Sequence, residues 1–196
     1  MFRRFSACVV KRNVARSQML VASTPASAEE QRAVRGLNNA MTACLGKAAS
    51  KTNLYGVLKM SFAAPKLRGG LAEQLYRLYF AARPPVAAPR PAAVAPILAL
   101  EGAAGETLGQ AVSYAVAQCG TAAQPGRVHA IIMVPAGSAE EKTHFRSLRP
   151  ALSTCLTRGS TFSTNRETLR GYLAESVYRW SLAQPGAAPA APAARN

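Results

Sequence analysis

Apolar residues recur at helical spacing in two long stretches of this 196-residue chain: Val34, Leu37, Met41, Cys44 and Leu45, then Phe145, Leu148, Leu152, Cys155 and Leu156. Each stretch follows Ser-Ala-Glu-Glu, at 27–30 and 138–141, where a serine N-cap and a glutamate three residues on predict a capping box. Two helices are therefore expected from these caps, with Cys44 and Cys155 on the buried face. A later helix is predicted from about Pro65 to Phe80 and again from Arg166 to Leu182. Its apolar stripe is Leu67, Leu71, Leu75 and Leu78; Thr164 with Glu167 reads as another capping box, and Glu73/Arg77 and Glu175/Arg179 as i,i+4 pairs. Opening helices are predicted at about Arg3–Arg12 and Glu106–Cys119, each followed by a short apolar stretch, Gln18–Ala22 and His129–Val134. Val57–Phe62 and Ser160–Ser163 read as short extended segments.

These paired features lie in register. At an offset of 111, Cys8 falls on Cys119, Ser27 on Ser138 and Cys44 on Cys155; from Cys8 to Leu45 the two stretches align without a gap and share 11 of 38 residues. A second block, Leu67-Arg68-Gly69-Gly70-Leu71-Ala72-Glu73-Gln74-Leu75-Tyr76-Arg77, matches residues 169–179 at 8 of 11 positions with an offset of 102, so the first copy carries nine extra residues before it. The sequence reads as a tandem duplication. The expected fold is mainly α: helical repeats over 1–81 and 105–183, a Pro/Ala-rich linker over 82–104 and a disordered Ala/Pro tail over 184–196.

A unit of this size has a marginal core and is commonly stapled. Four cysteines allow three pairings; symmetry between the copies favours Cys8–Cys44 and Cys119–Cys155. The alternatives are four buried free thiols, or a zinc site, for which there is no C-x-x-C, while His129 and His144 fall on Gln18 and Ala33 of the other copy. Bridges favour a periplasmic or secreted location. The start Met1-Phe2-Arg3-Arg4-Phe5 has no apolar run behind it, and the basic first 28 residues repeat in mid-chain, against a targeting peptide. The chain is therefore expected to begin inside its first helix, with a signal peptide removed or left out. No 20-residue apolar run predicts a membrane span.

Charge narrows the partners. The chain has 24 Lys and Arg against 9 acidic residues, all of them Glu, for a net charge of +15. Residues 1–81 hold 13 basic and 3 acidic side chains, and residues 109–183 hold 8 and 4. Such a charge attracts any polyanion, be it nucleic acid, anionic lipid or anionic polysaccharide, chiefly through the first copy, although a solvated basic surface with no dedicated partner is the commoner explanation. For nucleic acid the interleaved Phe2, Arg3, Arg4, Phe5, Lys11 and Arg12 are the nearest signal.

No residues assemble a catalytic set. A Ser-His-acid triad has no Asp to draw on, and His129 and His144 each occur in one copy. Glu29/Glu30 and Glu140/Glu141 are explained by capping and the helix dipole. Gly69-Gly70 and Gly102–Gly105 lack the lysine and hydroxyl of a phosphate loop. In the block around Gly69 polar residues recur as faithfully as apolar ones, which makes Arg68, Tyr76, Arg170 and Tyr178 possible duplicated binding positions for an anion or peptide. The bland reading of the same residues is an arginine paired with a carboxylate and a tyrosine at the rim of the core.

The run Phe5-x-x-Cys8-Val9-Val10-Lys11-Arg12, then Ser27-Ala28-Glu29-Glu30, Cys44-Leu45 and Leu67-Arg68-Gly69-x-Leu71-Ala72-Glu73-x-x-Tyr76, resembles a group of uncharacterised secreted proteins of alphaproteobacteria with duplicated, cysteine-paired helical units. The second copy departs from it with Gly120 and Thr121 in place of Val9 and Val10. The resemblance implies no activity, cofactor or site residues. The function expected from the residues is non-catalytic: an exported protein that binds or scaffolds another protein or a polyanion at the envelope, without metal or cofactor. The alternative is a basic polyanion-binding protein.

Overall fold

The computed structural model describes residues 2–49, 64–83, 85, 95–156 and 162–184, and among these lie eight helices and no strand. In chain order they are α1 (Phe2–Arg12), α2 (Val14–Ala22), α3 (Ala28–Ala49), α4 (Ala64–Phe80), α5 (Gly105–Ala123), α6 (Pro125–Met133), α7 (Ala139–Thr154) and α8 (Arg166–Leu182). The expected extended segment at Val57–Phe62, residues 160 and 161 of the one expected at Ser160–Ser163, and all of the expected 184–196 tail but Gln184 fall outside the described residues; Phe162 and Ser163 have no regular structure.

Gln18–Ala22 and His129–Val134, expected as short apolar stretches, belong to helices. Asn13 Oδ1 accepts the Arg16 amide at 3.0 Å and starts α2, and Pro125 occupies the first turn of α6, where its missing N–H costs nothing. A capping side chain at Asn13 and a first-turn proline at Pro125 thus start new helices directly after α1 and α5. At the far end of the chain Asn165, rather than Thr164, caps α8: its Oδ1 accepts the Thr168 amide at 2.8 Å. Glu167 is thereby free to face outward, where it pairs with Lys66 at 2.9 Å.

Both serine caps form as the sequence predicts, with one difference. Ser27 Oγ accepts from the Glu30 amide and Ser138 Oγ from that of Glu141, but the glutamates reach back to the amides of Ala26 and Gly137, one residue before the cap. The reason is that the Ser27 and Ser138 amides are already spent on the carbonyls of Thr24 and Pro135. Ala26 and Gly137 both take left-handed backbone, at φ 62° and 81°.

Helices α4 and α8 form the most extensive interhelix contact. Lys66 meets Glu167 at their N-terminal ends and Phe80 meets Tyr178 further on, so the two run side by side in the same sense. Helices α1 and α2 pack on α4 with α3 laid across them, and α5 and α6 pack on α8 with α7 laid across them. One continuous apolar core results, running from Phe5, Val9 and Leu20 through Leu71, Leu75 and Tyr76 to Leu148, Leu173 and Val177. Leu78, expected on the α4 stripe, is 50% exposed. Leu67, Leu71 and Leu75 of that stripe are buried, and the buried arc widens to Arg68, Ala72, Tyr76 and Phe80, because α1, α2 and α8 all pack on α4. Ile97, just before α5, is also buried, held by its amide donating to Gln118 Oε1 at 3.0 Å.

Two disulfides, Cys8–Cys44 and Cys119–Cys155, each tie the helix that opens a half to the long helix behind its serine cap, with Cα atoms 5.8 Å apart in both. Cys44 is buried as expected. Cys155 sits at the C-cap of α7, half-buried, and Cys119 is exposed. Disulfides of this kind suggest an oxidising environment outside the cytoplasm. No helix among the described residues is long and apolar enough to cross a membrane.

Candidate functional site: two buried guanidinium networks, a cavity and a cationic groove

The polar residues that recur at the start of α4 and α8 converge where the two helices touch. Arg68 is fully buried, and every donor it has is spent. Its Nε and Nη2 grip Glu175 at 3.2 and 2.5 Å, its Nη1 reaches Glu30 at 3.1 Å, and the carbonyls of Leu20, Val21 and Ser23 at the end of α2 accept the rest. Arg170 is held by a corresponding set: Glu73 at 2.9 and 3.0 Å, Glu141 at 2.6 Å, and the carbonyls of Ile131, Ile132 and Val134 at the end of α6.

Each guanidinium therefore does two jobs. It satisfies the orphan carbonyls at a helix C-terminus, where positive charge is favoured, and it neutralises two buried carboxylates. Arg77 and Arg179 complete the arrangement from the opposite helix: Arg77 donates to the carbonyls of Ile132 and Val134 and to Glu73, and Arg179 to those of Val21 and Ser23 and to Glu175. Four arginines balance Glu30, Glu73, Glu141 and Glu175. Burial alone would depress the Arg68 pKa, yet Glu175 and Glu30 carry it upward; Glu73 and Glu141 do the same for Arg170.

Glu30 and Glu141, which capping seemed to account for completely, use one oxygen on the cap and the other on a buried arginine. Sequence alone gave no sign of this second role, because the partner lies 38 and 29 residues away. The tyrosines of the recurring block cross over as well. Tyr76 lies against His129 of α6, its hydroxyl 2.7 Å from Nδ1, and both Tyr76 and Tyr178 are buried. Burial raises the Tyr76 pKa and lowers that of His129, so both groups are held neutral and share one hydrogen bond whose direction follows the ring tautomer. His144 stands apart, 3.8 Å from Glu140 on the exposed side of α7.

Arg68, Tyr76, Arg170 and Tyr178 are thus brought into the interior, with the two arginines saturated by protein atoms. The space that remains for a ligand is elsewhere. A cavity of about 860 Å³ opens beside the Gly69–Gly171 contact, lined by Phe2, Arg3, Lys66, Gly70, Glu73 and Tyr172 among others. A second, shallower groove of about 800 Å³ lies between α7 and the start of α8. Its floor is Phe145, Leu152, Leu156, Phe162 and Leu169, and its rim carries Lys142, Arg146, Arg149 and Arg166. Among the described residues none of these four cations has a carboxylate within ion-pair distance. No cluster of histidine, cysteine and glutamate fit to hold a metal occurs among the described residues. Comparison with protein-family models, curated proteins and solved structures finds no match to this chain.

Proposed function

We propose that this is a non-catalytic binding protein of the periplasm or exterior, built from a duplicated helical unit, and that the groove between α7 and α8 holds the acyl chain of an anionic single-chain lipid. The duplication is supported by the sequence register and by the matched sets of atoms that hold Arg68 and Arg170.

One observation carries the ligand: four unpaired cations ring an apolar floor. Among the described residues no carboxylate offsets that charge. Lys142 and Arg146 repel at i,i+4, and Arg166 at the first position of α8 opposes the positive end of the helix dipole. An anion at the rim removes both penalties, while the five apolar side chains below suit a hydrocarbon tail. The volume lies within the ~300–1,000 Å³ of small-molecule sites.

Calorimetric titration with dodecanoate below its micelle concentration tests this. Saturable binding that Arg146→Glu/Arg149→Glu weakens at least tenfold supports the reading. Equal binding of dodecyltrimethylammonium, or no effect of the charge reversal, overturns it.

A second reading, polyanion binding by the first half, is favoured by Arg4, Lys11, Arg12, Arg16, Arg32 and Arg35, which are all exposed on α1–α3. Retention on heparin that persists in the Arg146→Glu/Arg149→Glu variant separates it from the first, and absence of retention at low salt ends it.

A further inference from the structure

We propose that the cavity beside Gly69 and Gly171 is a second binding site, which takes a small phenol whose hydroxyl donates to Glu73. The two halves of the molecule differ at this point of the buried network. On the α8 side Tyr114 and Tyr172 pack edge to face with ring centroids 4.6 Å apart, and the Tyr114 hydroxyl donates to Glu175 Oε2 at 2.9 Å. That pair closes the network: the Glu175 side chain is 1% exposed.

In register with Tyr114 and Tyr172 stand Arg3 and Gly70. Neither supplies a ring or a hydroxyl. Arg3 leans outward, 46% exposed, with its Nε 3.8 Å from Glu73 Oε1, too far for a hydrogen bond. Among the described residues Glu73 therefore accepts hydrogen bonds from Arg77 and Arg170 alone, and its Oε2 has no counterpart there to the second donor that Glu175 Oε2 receives from Tyr114. Its side chain is 11% exposed, toward a cavity of about 860 Å³. The rest of the lining suits an aromatic ring: the Phe2 ring packs on Gly70, Tyr172 faces from α8, and Pro65 and Pro135 add apolar surface. Gln74, whose amide nitrogen is buried without a partner among the described residues, lines the same space.

Phe2 and Ser6 fill the space that a side chain at Gly70 would need, so the group without a counterpart is the hydroxyl-bearing ring of Tyr114. Cavities left by a ring bind small aromatics, and a site with a buried acceptor discriminates strongly in favour of a molecule that carries the matching hydroxyl.

The probe is 4-cresol, the tyrosine side chain itself, titrated into the isotopically labelled full-length protein and followed by amide NMR. The expected result is saturable shifts at Gly69, Gly70 and Glu73, binding of 4-methylanisole at least tenfold weaker, and loss of 4-cresol binding in Arg3→Tyr. Arg146→Glu/Arg149→Glu leaves it unchanged, which separates this site from the lipid groove. No saturable shift, or equal binding of the methyl ether by the unaltered protein, overturns the proposal; so does undiminished binding by a folded Arg3→Tyr.

Discussion

Gly69 and Gly171 meet backbone to backbone where α4 crosses α8: a Cβ added at residue 69 would stand 2.5 Å from the Gly171 Cα. The reverse is not so tight, since a Cβ at 171 would lie 3.4 Å from the Gly69 Cα, an ordinary contact. This contact lets the two buried arginines reach carboxylates on the opposite helix.

Gly69→Ala forces the helices apart and is expected to cost about 2 kcal/mol, from overpacking of about 3 kcal/mol less a gain of about 1 kcal/mol in helix propensity. Gly171→Ala is expected to be within about 1 kcal/mol of the parent. Urea unfolding of the two variants measures both, and equal losses would show that the crossing is not where the tolerance is lowest.

Arg68→Ala leaves Glu30 and Glu175 buried without their main counter-charge and uncaps α2. A loss of about 3–5 kcal/mol is expected. Arg68→Lys is expected to recover little, because an ammonium cannot span Glu175, Glu30 and three carbonyls at once. Thermal unfolding of the pair decides this.

Ala26 and Gly137 hold equivalent left-handed positions before the two serine caps, yet only one is glycine. Ala26→Gly is expected to stabilise by up to about 1 kcal/mol and Gly137→Ala to destabilise by a similar amount, since left-handed backbone costs an L-residue about 1–2 kcal/mol. Denaturant midpoints of the two single variants give the signs.

His129 provides a pH dependence of definite sign. Burial lowers its pKa in the folded state, so below the ordinary value near 6.5 the unfolded chain binds a proton that the folded one does not. Its contribution is at its full value above that pH, and stability falls as pH drops from there toward the lowered folded value. His129→Gln, which installs the residue found in register at 18, is expected to remove this part of the slope between pH 7 and 5. An unchanged slope in urea titrations across that range would locate it in other groups.

The disulfides differ in exposure. Cys119 is exposed and Cys155 half-buried, whereas Cys44 of the other bridge is buried and Cys8 only partly accessible. Thiol reductant is expected to open Cys119–Cys155 first, because attack requires access to a sulfur. Timed alkylation and peptide mass mapping of the native protein would read the order.

Much of the local structure is written locally. Helical spacing placed α4 and α8 to within a residue of their observed limits, and Ser-x-x-Glu located the starts of α3 and α7, because caps and periodicity involve residues three or four apart. Symmetry of spacing pointed to the cysteine pairs. Where local cues compete, the outcome was not legible: Asn165 displaced Thr164 as a cap, and α2 and α6 emerged as helices rather than short apolar stretches.

The sequence by itself determined six of the eight described helices, favoured the cysteine pairing that is observed, and displayed the recurrence of Arg68, Tyr76, Arg170 and Tyr178. Only the tertiary structure decided what those residues touch. Arg68 and Glu175 are 107 residues apart, and Arg170 and Glu73 are 97; no period along the chain encodes such a pairing. It follows from the closeness that two glycines permit between α4 and α8, and from the cost of burying a guanidinium without a carboxylate to meet it.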